Sequence, residues 1–279
     1  FDATTFSKNR ERLMAHEVAQ VFFHSVVDQA RAAHLMSAEH FTVDGTRIEA
    51  WASLKSFKPK DEASRERTAS HRRQAKRRRA RRTKGRRGSG SSSNPTVDFH
   101  GHRRRNETHE STTEPESRWM RKGNGKEAKR SFSAHALMEN RNGMLIDLRI
   151  AEASGTAERR VALERIDDNL RGKRRITLGA DKGYHTRDFI EGCRERSVTP
   201  HLANKDKHSG LDGRTTHKLG YRISQRIGKR VEEIFGWTKT VGAFRRTRFR
   251  GSQRTQLAAY LVGAAYNLVR RAKLVAAPT

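Results

Sequence analysis

The sequence predicts an α/β protein, a mixed parallel and antiparallel sheet flanked by helices, with a long polar insertion after the first strand. Three observations predict it. Short β-prone runs alternate with amphipathic stretches at helical spacing. Two runs, 132–138 and 146–150, flank a turn containing Asn142 and Gly143. Between 56 and 130 apolar periodicity disappears. At 279 residues, 33% of them apolar, the chain suffices for one large domain or two small ones.

In chain order, Thr5 or Ser7 caps a helix from about Asn9 to His34, with Leu13, Val18, Val21, Phe22 and Val26 at helical spacing. Residues 1–36 are expected to pack on the rest as a helical segment, and Phe1 in place of Met leads us to expect an upstream segment. His40 to Asp44 reads as a strand ended by Gly45. The insertion, 56–130, holds an Arg-rich tract, a GSGSSSNP linker and a polar region, and is expected to be partly disordered. Alternation resumes at Ser131, and the two runs form an antiparallel hairpin. Ala157 to Leu170 is an amphipathic helix through Val161, Leu163, Ile166 and Leu170. Ile176 to Ala180 is a strand delivering Asp181, Thr186 caps a helix through Phe189, Ile190 and Cys193, and Val198 to Ala203 is a further strand. Helices from about Ser224 to Val241 and from about Gln253 to Lys273 complete the main body, 37–275.

The formal net charge is +29. Arg65 to Arg87 holds 13 Lys/Arg against Glu66 alone, yet the remainder is still strongly basic. Such an excess points to nucleic acid rather than anionic lipid. No apolar run approaches the roughly 18 residues needed to span a bilayer, and no signal-peptide core is visible, so a cytosolic protein is expected. A single cysteine, Cys193, excludes an intrachain disulfide framework and a Cys-built zinc site, and reads as helix packing. His109, His135, His185 and His201 lack metal-ligand spacing and read as structural, with His185, next to Tyr184 and near Asp181, the one of interest. Trp51, Trp119 and Trp237 read as packing residues.

Asp44 and Asp181 each end a predicted strand, and Glu232 lies on a later helix. Mg²⁺ takes oxygen ligands and is anchored by a few carboxylates together with substrate phosphate. Two such ions about 4 Å apart can serve the attacking and leaving oxygens of a phosphodiester. Helix geometry separates Glu232 from Glu233. Val231, Ile234, Phe235 and Thr238 form the core side; Glu232 borders it, with Lys239 within about 20°. Glu233 shares the outer face with Lys229 and Arg226.

The segments FTVDGTRIEAWASLKSF, TLGADKGYHTRDF and VEEIFGWTKTVG resemble the catalytic domain of bacterial insertion-sequence DDE transposases, in the group with a Tyr-Arg-Glu-Lys signature. THESTTEPESRWMRKG, ALMENRNG, VTPHLA and AAYNLVR extend the resemblance in the same order. It implies an RNase H-like fold, with Asp44, Asp181 and Glu232 as catalytic ligands of Mg²⁺ or Mn²⁺. It also implies hydrolysis at a transposon end and attack of the freed 3′-hydroxyl on target DNA. Lys239 matches the signature lysine, and Tyr184 the tyrosine of Asp-x-Gly-Tyr. Lys239, Lys182, Tyr184, Arg226 and Arg230 are the expected contacts to double-stranded DNA. A homo-oligomer on DNA and a nucleoid-associated place in a bacterial cytoplasm follow from the same resemblance.

The chain also departs from that group. Gly228 and Gln225 stand where the signature has Arg and Tyr, on the stripe of Glu232. Arg226 and Arg230 are candidate substitutes that point off the stripe, and Gly228 weakens a helix by about 1 kcal/mol relative to Ala. The Arg-rich tract reads either as a DNA-binding arm or as a drifting loop that binds polyanions nonspecifically. The N-terminal helix reads as a remnant of a DNA-recognition region. Two further readings remain: a non-catalytic nucleic-acid-binding protein, including an inactivated transposase, and a metal-dependent nuclease without strand transfer.

Overall fold

The computed structural model describes residues 2–64, 105–121, 127–170, 175–204 and 210–276. The Arg65 to Arg87 tract and the GSGSSSNP linker lie outside them.

The expected N-terminal helix is two helices, α1 (Ala3–Ala15) and α2 (Val18–Ala32). Glu17 between them is left-handed at φ 50°, a conformation that costs a non-glycine residue about 1–2 kcal/mol. The turn resets the helical phase. Ala19, Phe23, Val26, Val27 and Ala30 are buried, whereas Leu13, Val18, Val21 and Phe22 are exposed. The five buried residues belong to the same core cluster as the sheet, so α2 is part of the main body.

Strand β1 runs His40–Glu49, beyond the expected end at Asp44. Gly45 does not stop it because β5 (Lys129–Glu139) supplies an antiparallel partner from Phe41↔Glu139 to Glu49↔Ser131. Backbone pairing overrides the low strand propensity of glycine.

Among the described residues of the insertion are three short strands. β2 (Phe57–Pro59) pairs with β3 (His109–Ser111), and β4 (Arg118–Met120) pairs with the first residues of β5. Phe57 organises this corner, with the Trp119 ring 5.6 Å away and the Arg130 guanidinium 4.8 Å above. One aromatic cluster and buried hydrogen bonds take the place of a periodic apolar pattern. Glu114, 1% exposed, accepts from the amides of Ala52 and Gly251.

β6 (Leu145–Glu152) completes the expected hairpin with β5. Gly143 takes φ 70° in the turn. The fully buried Glu139 carboxylate accepts four amides: Ser37 at 2.9 Å, Arg141 at 2.9 Å, Asn142 at 2.8 Å and Met144 at 2.9 Å. Helix α3 (Ala157–Asn169) leads to β7 (Ile176–Ala180), α4 (Arg187–Glu195) and β8 (Val198–Leu202). Thr186 holds the N-cap position of α4, but its hydroxyl makes no capping bond. Cys193 is fully buried in α4, and burial pushes its thiol up to about 12.

The main sheet order is β6-β5-β1-β7-β8, antiparallel across the first three strands and parallel across the last three. This mixed sheet flanked by helices is the RNase H-like arrangement that the resemblance implied. The expected helix from Ser224 to Val241 is interrupted: α5 (Leu219–Ile227) passes through a 3-10 turn, Gly228–Arg230, into α6 (Val231–Thr240). The last helix, α7, runs Ser252–Ala276.

Helix α7 also closes the free edge of β6. The Asn267 carboxamide accepts from the Leu145 amide (2.9 Å) and donates to its carbonyl (2.7 Å). Gln256 does the same for the Ile150 amide (2.7 Å) and Leu148 carbonyl (2.8 Å). Two side chains thus occupy the place of a neighbouring strand.

Candidate active site

The site lies where β1 outruns its parallel neighbour. Pairing of β1 with β7 stops at Thr42↔Gly179, so the edge of β1 at Asp44 has no strand beside it on that side. Asp181, just past the end of β7, enters that gap. Its carboxylate accepts from the Gly183 amide at 2.8 Å and caps the 3-10 turn Lys182–Tyr184. Asp44 is half-buried and accepts from the Gly45 amide at 2.7 Å. Glu232 stands in the first turn of α6 and is exposed. A cavity of about 230 Å³ is lined by Asp44, Asp181 and Glu232, with Thr42, Gly179, Ser224, Gln225, Gly228 and Lys229 among its walls. The strand order and helix phase inferred from sequence therefore bring three acids from three elements to one concavity.

A fourth acid was not singled out from sequence. Glu158, in the first turn of α3, approaches β1 at Gly45: a Cβ on that glycine would lie 3.0 Å from Glu158 Oε1. Burial, then the charges of Asp181, Glu158 and Glu232, push the Asp44 carboxyl up to about 7 against the lowering effect of the Gly45 amide. Burial, then Asp181, raises Glu158, with Arg159 opposing. The sequence carries no local signal for it, because the approach depends on Gly45 lying inside β1 rather than ending it.

All four groups are hard oxygen donors, and their mutual repulsion is what a divalent cation relieves. Donor chemistry therefore fits such an ion. As the side chains stand, no three His, Cys, Asp or Glu residues among the described residues form a group that holds a metal. Both aspartates turn an oxygen to a backbone amide instead.

The surrounding residues divide into those facing the cavity and those that do not. Lys239 donates from Nζ to Thr46 Oγ1, on the face of β1 that also carries Asp44. Lys182 is exposed beside Asp181. Tyr184 is only 1% exposed, so its ring lies beneath the acids rather than on a DNA-facing surface; burial first, then Glu158, Asp44 and Asp181, raise its hydroxyl well above the usual value. Arg226 is exposed and Arg230 donates to the Arg141 carbonyl at 3.0 Å; neither lines the cavity. Lys229 does, although a continuous α-helix placed it on the outer face. A 3-10 turn advances about 120° per residue rather than 100°, which explains the altered phase. Gln225, in the place of the signature tyrosine, donates to the His201 carbonyl.

The histidines are structural in placement. His185 is buried, with Nδ1 against the Ala203 carbonyl and Nε2 accepting from the Gly210 amide, each at 3.2 Å. His109 stacks on Phe57. Trp237 packs edge-on to Tyr266, whereas Trp51 is 45% exposed.

Among the described residues no helix is long and apolar enough to cross a membrane. Residues 96–268 match the family described as a transposase DDE domain, a span that includes Asp181 and Glu232 and begins after Asp44. No curated protein matches the chain.

Proposed function

The chain belongs to the transposase DDE domain family, and from that premise we propose that it hydrolyses a phosphodiester at a transposon end and joins the freed 3′-hydroxyl to target DNA. One observation carries the reading: β1, β7 and α6 deliver Asp44, Asp181 and Glu232 to a single cavity at the open edge of β1. These three carboxylates would hold Mg²⁺ or Mn²⁺ after turning from the Gly45 and Gly183 amides. When bound, the ion supplies charge stabilisation at the oxygens of the reacting phosphodiester.

The chain's own groups then have separate tasks. Asp44, whose carboxyl burial and acidic neighbours push up to about 7, would give up its proton to take its place among the ion's ligands. Lys239, anchored at Thr46, and Lys229, at the cavity wall, place positive charge beside the bound DNA backbone. Tyr184, buried, anchors the turn that Asp181 caps, its amide donating to the Asp181 carbonyl at 3.3 Å. A homo-oligomer acting on paired ends within the bacterial nucleoid accompanies this reading.

The test is strand cleavage and joining of transposon-end DNA in Mg²⁺ by wild type and Asp181→Ala. Loss of both activities in the variant is expected, and equal activity in the two proteins refutes the assignment. A second reading, a DNA-binding protein without catalysis, is favoured by Gln225 and Gly228, which leave two signature positions without an arginine or tyrosine. DNA binding with steep salt dependence and no metal-dependent cleavage by wild type selects it.

A further inference from the structure

The loop after α6 is a rigid mount for arginines. Phe244 and Thr247 are buried, at 5% and 0% exposure. Thr247 N–H donates to the Glu49 carbonyl (2.8 Å) and Glu49 N–H to the Arg245 carbonyl (3.0 Å), stitching the loop to the end of β1. Thr247 Oγ1 pairs with Thr255 at 3.0 Å and accepts the Phe249 amide at 3.1 Å. Arg246 serves the scaffold, donating to the carbonyls of Ala50 and Trp51 with its guanidinium 5.7 Å from the Trp51 ring centre.

Arg245, Arg248 and Arg250 remain on the outside. Among the described residues, no ion pair or side-chain hydrogen bond engages them. The nearby acids are occupied: Glu49 by Arg47 (3.6 Å) and Lys129 (3.2 Å), Glu114 and Glu116 by the amides of Gly251 (3.1 Å) and Ser252 (2.7 Å). Three cations on an immobilised loop are thus available to an external polyanion, and the cost of ordering their backbone is already met.

Their position relative to the acids follows from β1. The strand rises about 17 Å from Asp44 to Glu49, close to the length of about five base pairs of B-DNA. Lys239 sits between, at Thr46. We propose that Arg245, Arg248 and Arg250 form a phosphate-binding ridge. It grips the same duplex about five base pairs from the phosphodiester at Asp44 and sets its register there. The inference rests on the reading that the cavity acts on DNA.

The test uses the full chain and a fluorescent mixed-sequence duplex of about 30 base pairs, titrated with salt, for wild type and the combined Arg245→Gln, Arg248→Gln, Arg250→Gln variant. Each lost phosphate contact lowers the slope of log K against log salt by about 0.9, so a fall of about 2 to 3 is expected with unchanged thermal unfolding. If the triple variant unfolds early, Arg248→Gln alone is read, with an expected fall of about 1. A slope equal to wild type overturns the ridge, even where Asp181→Ala abolishes cleavage. A lowered slope together with full cleavage by Asp181→Ala retains the ridge and removes the active-site assignment. A wild-type chain that binds no duplex overturns both.

Discussion

Glu139→Ala tests how the hairpin is held. The carboxylate is fully buried and accepts four backbone amides, so truncation leaves four donors without their acceptor. Arg141 is exposed and Asn142 half-buried, and their amides regain water. Ser37 and Met144 are 7% and 0% exposed, and their amides do not. Two orphaned buried donors at about 1–3 kcal/mol each give a loss of about 2–6 kcal/mol, a large share of the roughly 5–15 kcal/mol available to a folded domain. Glu139→Gln keeps one acceptor oxygen and should fall between alanine and wild type. Urea unfolding followed by tryptophan fluorescence measures the series. A shift below about 1 kcal/mol in the alanine variant refutes the claim that this carboxylate closes the turn.

Burial, then Arg160 and Arg165, hold His135 down at about 4, so below about 6.5 the unfolded chain takes a proton that the folded one refuses. Stability is intact above pH 6.5 and declines as pH falls towards 4, by up to about 3 kcal/mol; His135→Leu should flatten that slope in unfolding curves at pH 7 and pH 5. His201, held at about 4 first by burial and then by His40 and Lys218, adds in the same direction. Gly228 has helical dihedrals, and a Cβ there meets Thr42 Oγ1 at an ordinary 3.4 Å. Gly228→Ala should therefore raise stability by up to about 1 kcal/mol, and a lowered melting temperature contradicts this. Asn267→Leu removes both bonds to Leu145 and should cost about 2–4 kcal/mol, with self-association detectable by light scattering.

Much of the framework was legible because its signals are local. The strand Ile176–Ala180 and the 131–150 hairpin announce themselves by alternation and a turn pair, and the helix phase of Val231, Ile234, Phe235 and Thr238 places Glu232 beside the core face. What escaped depends on distant partners. Gly45 reads as a strand end until β5 is known to run beside it. Glu158 looks like any acid in the first turn of a helix, favoured there by the helix dipole; only its approach to Gly45 brings it to Asp44. Lys229 changed sides because three residues adopt a 3-10 turn. The buried roles of Glu114 and Glu139 rest on amides far away or around a turn, which apolar periodicity does not encode.

The sealing of β6 by Gln256 and Asn267 has a consequence for biogenesis. Both amides belong to α7, the last described helix, whereas the edge they cover is complete more than a hundred residues earlier. While a ribosome is still adding the intervening chain, the nascent sheet presents an open strand to its neighbours on the same messenger. A stop codon before Gln256 should therefore leave that edge permanently unsealed and the truncated chain prone to aggregate.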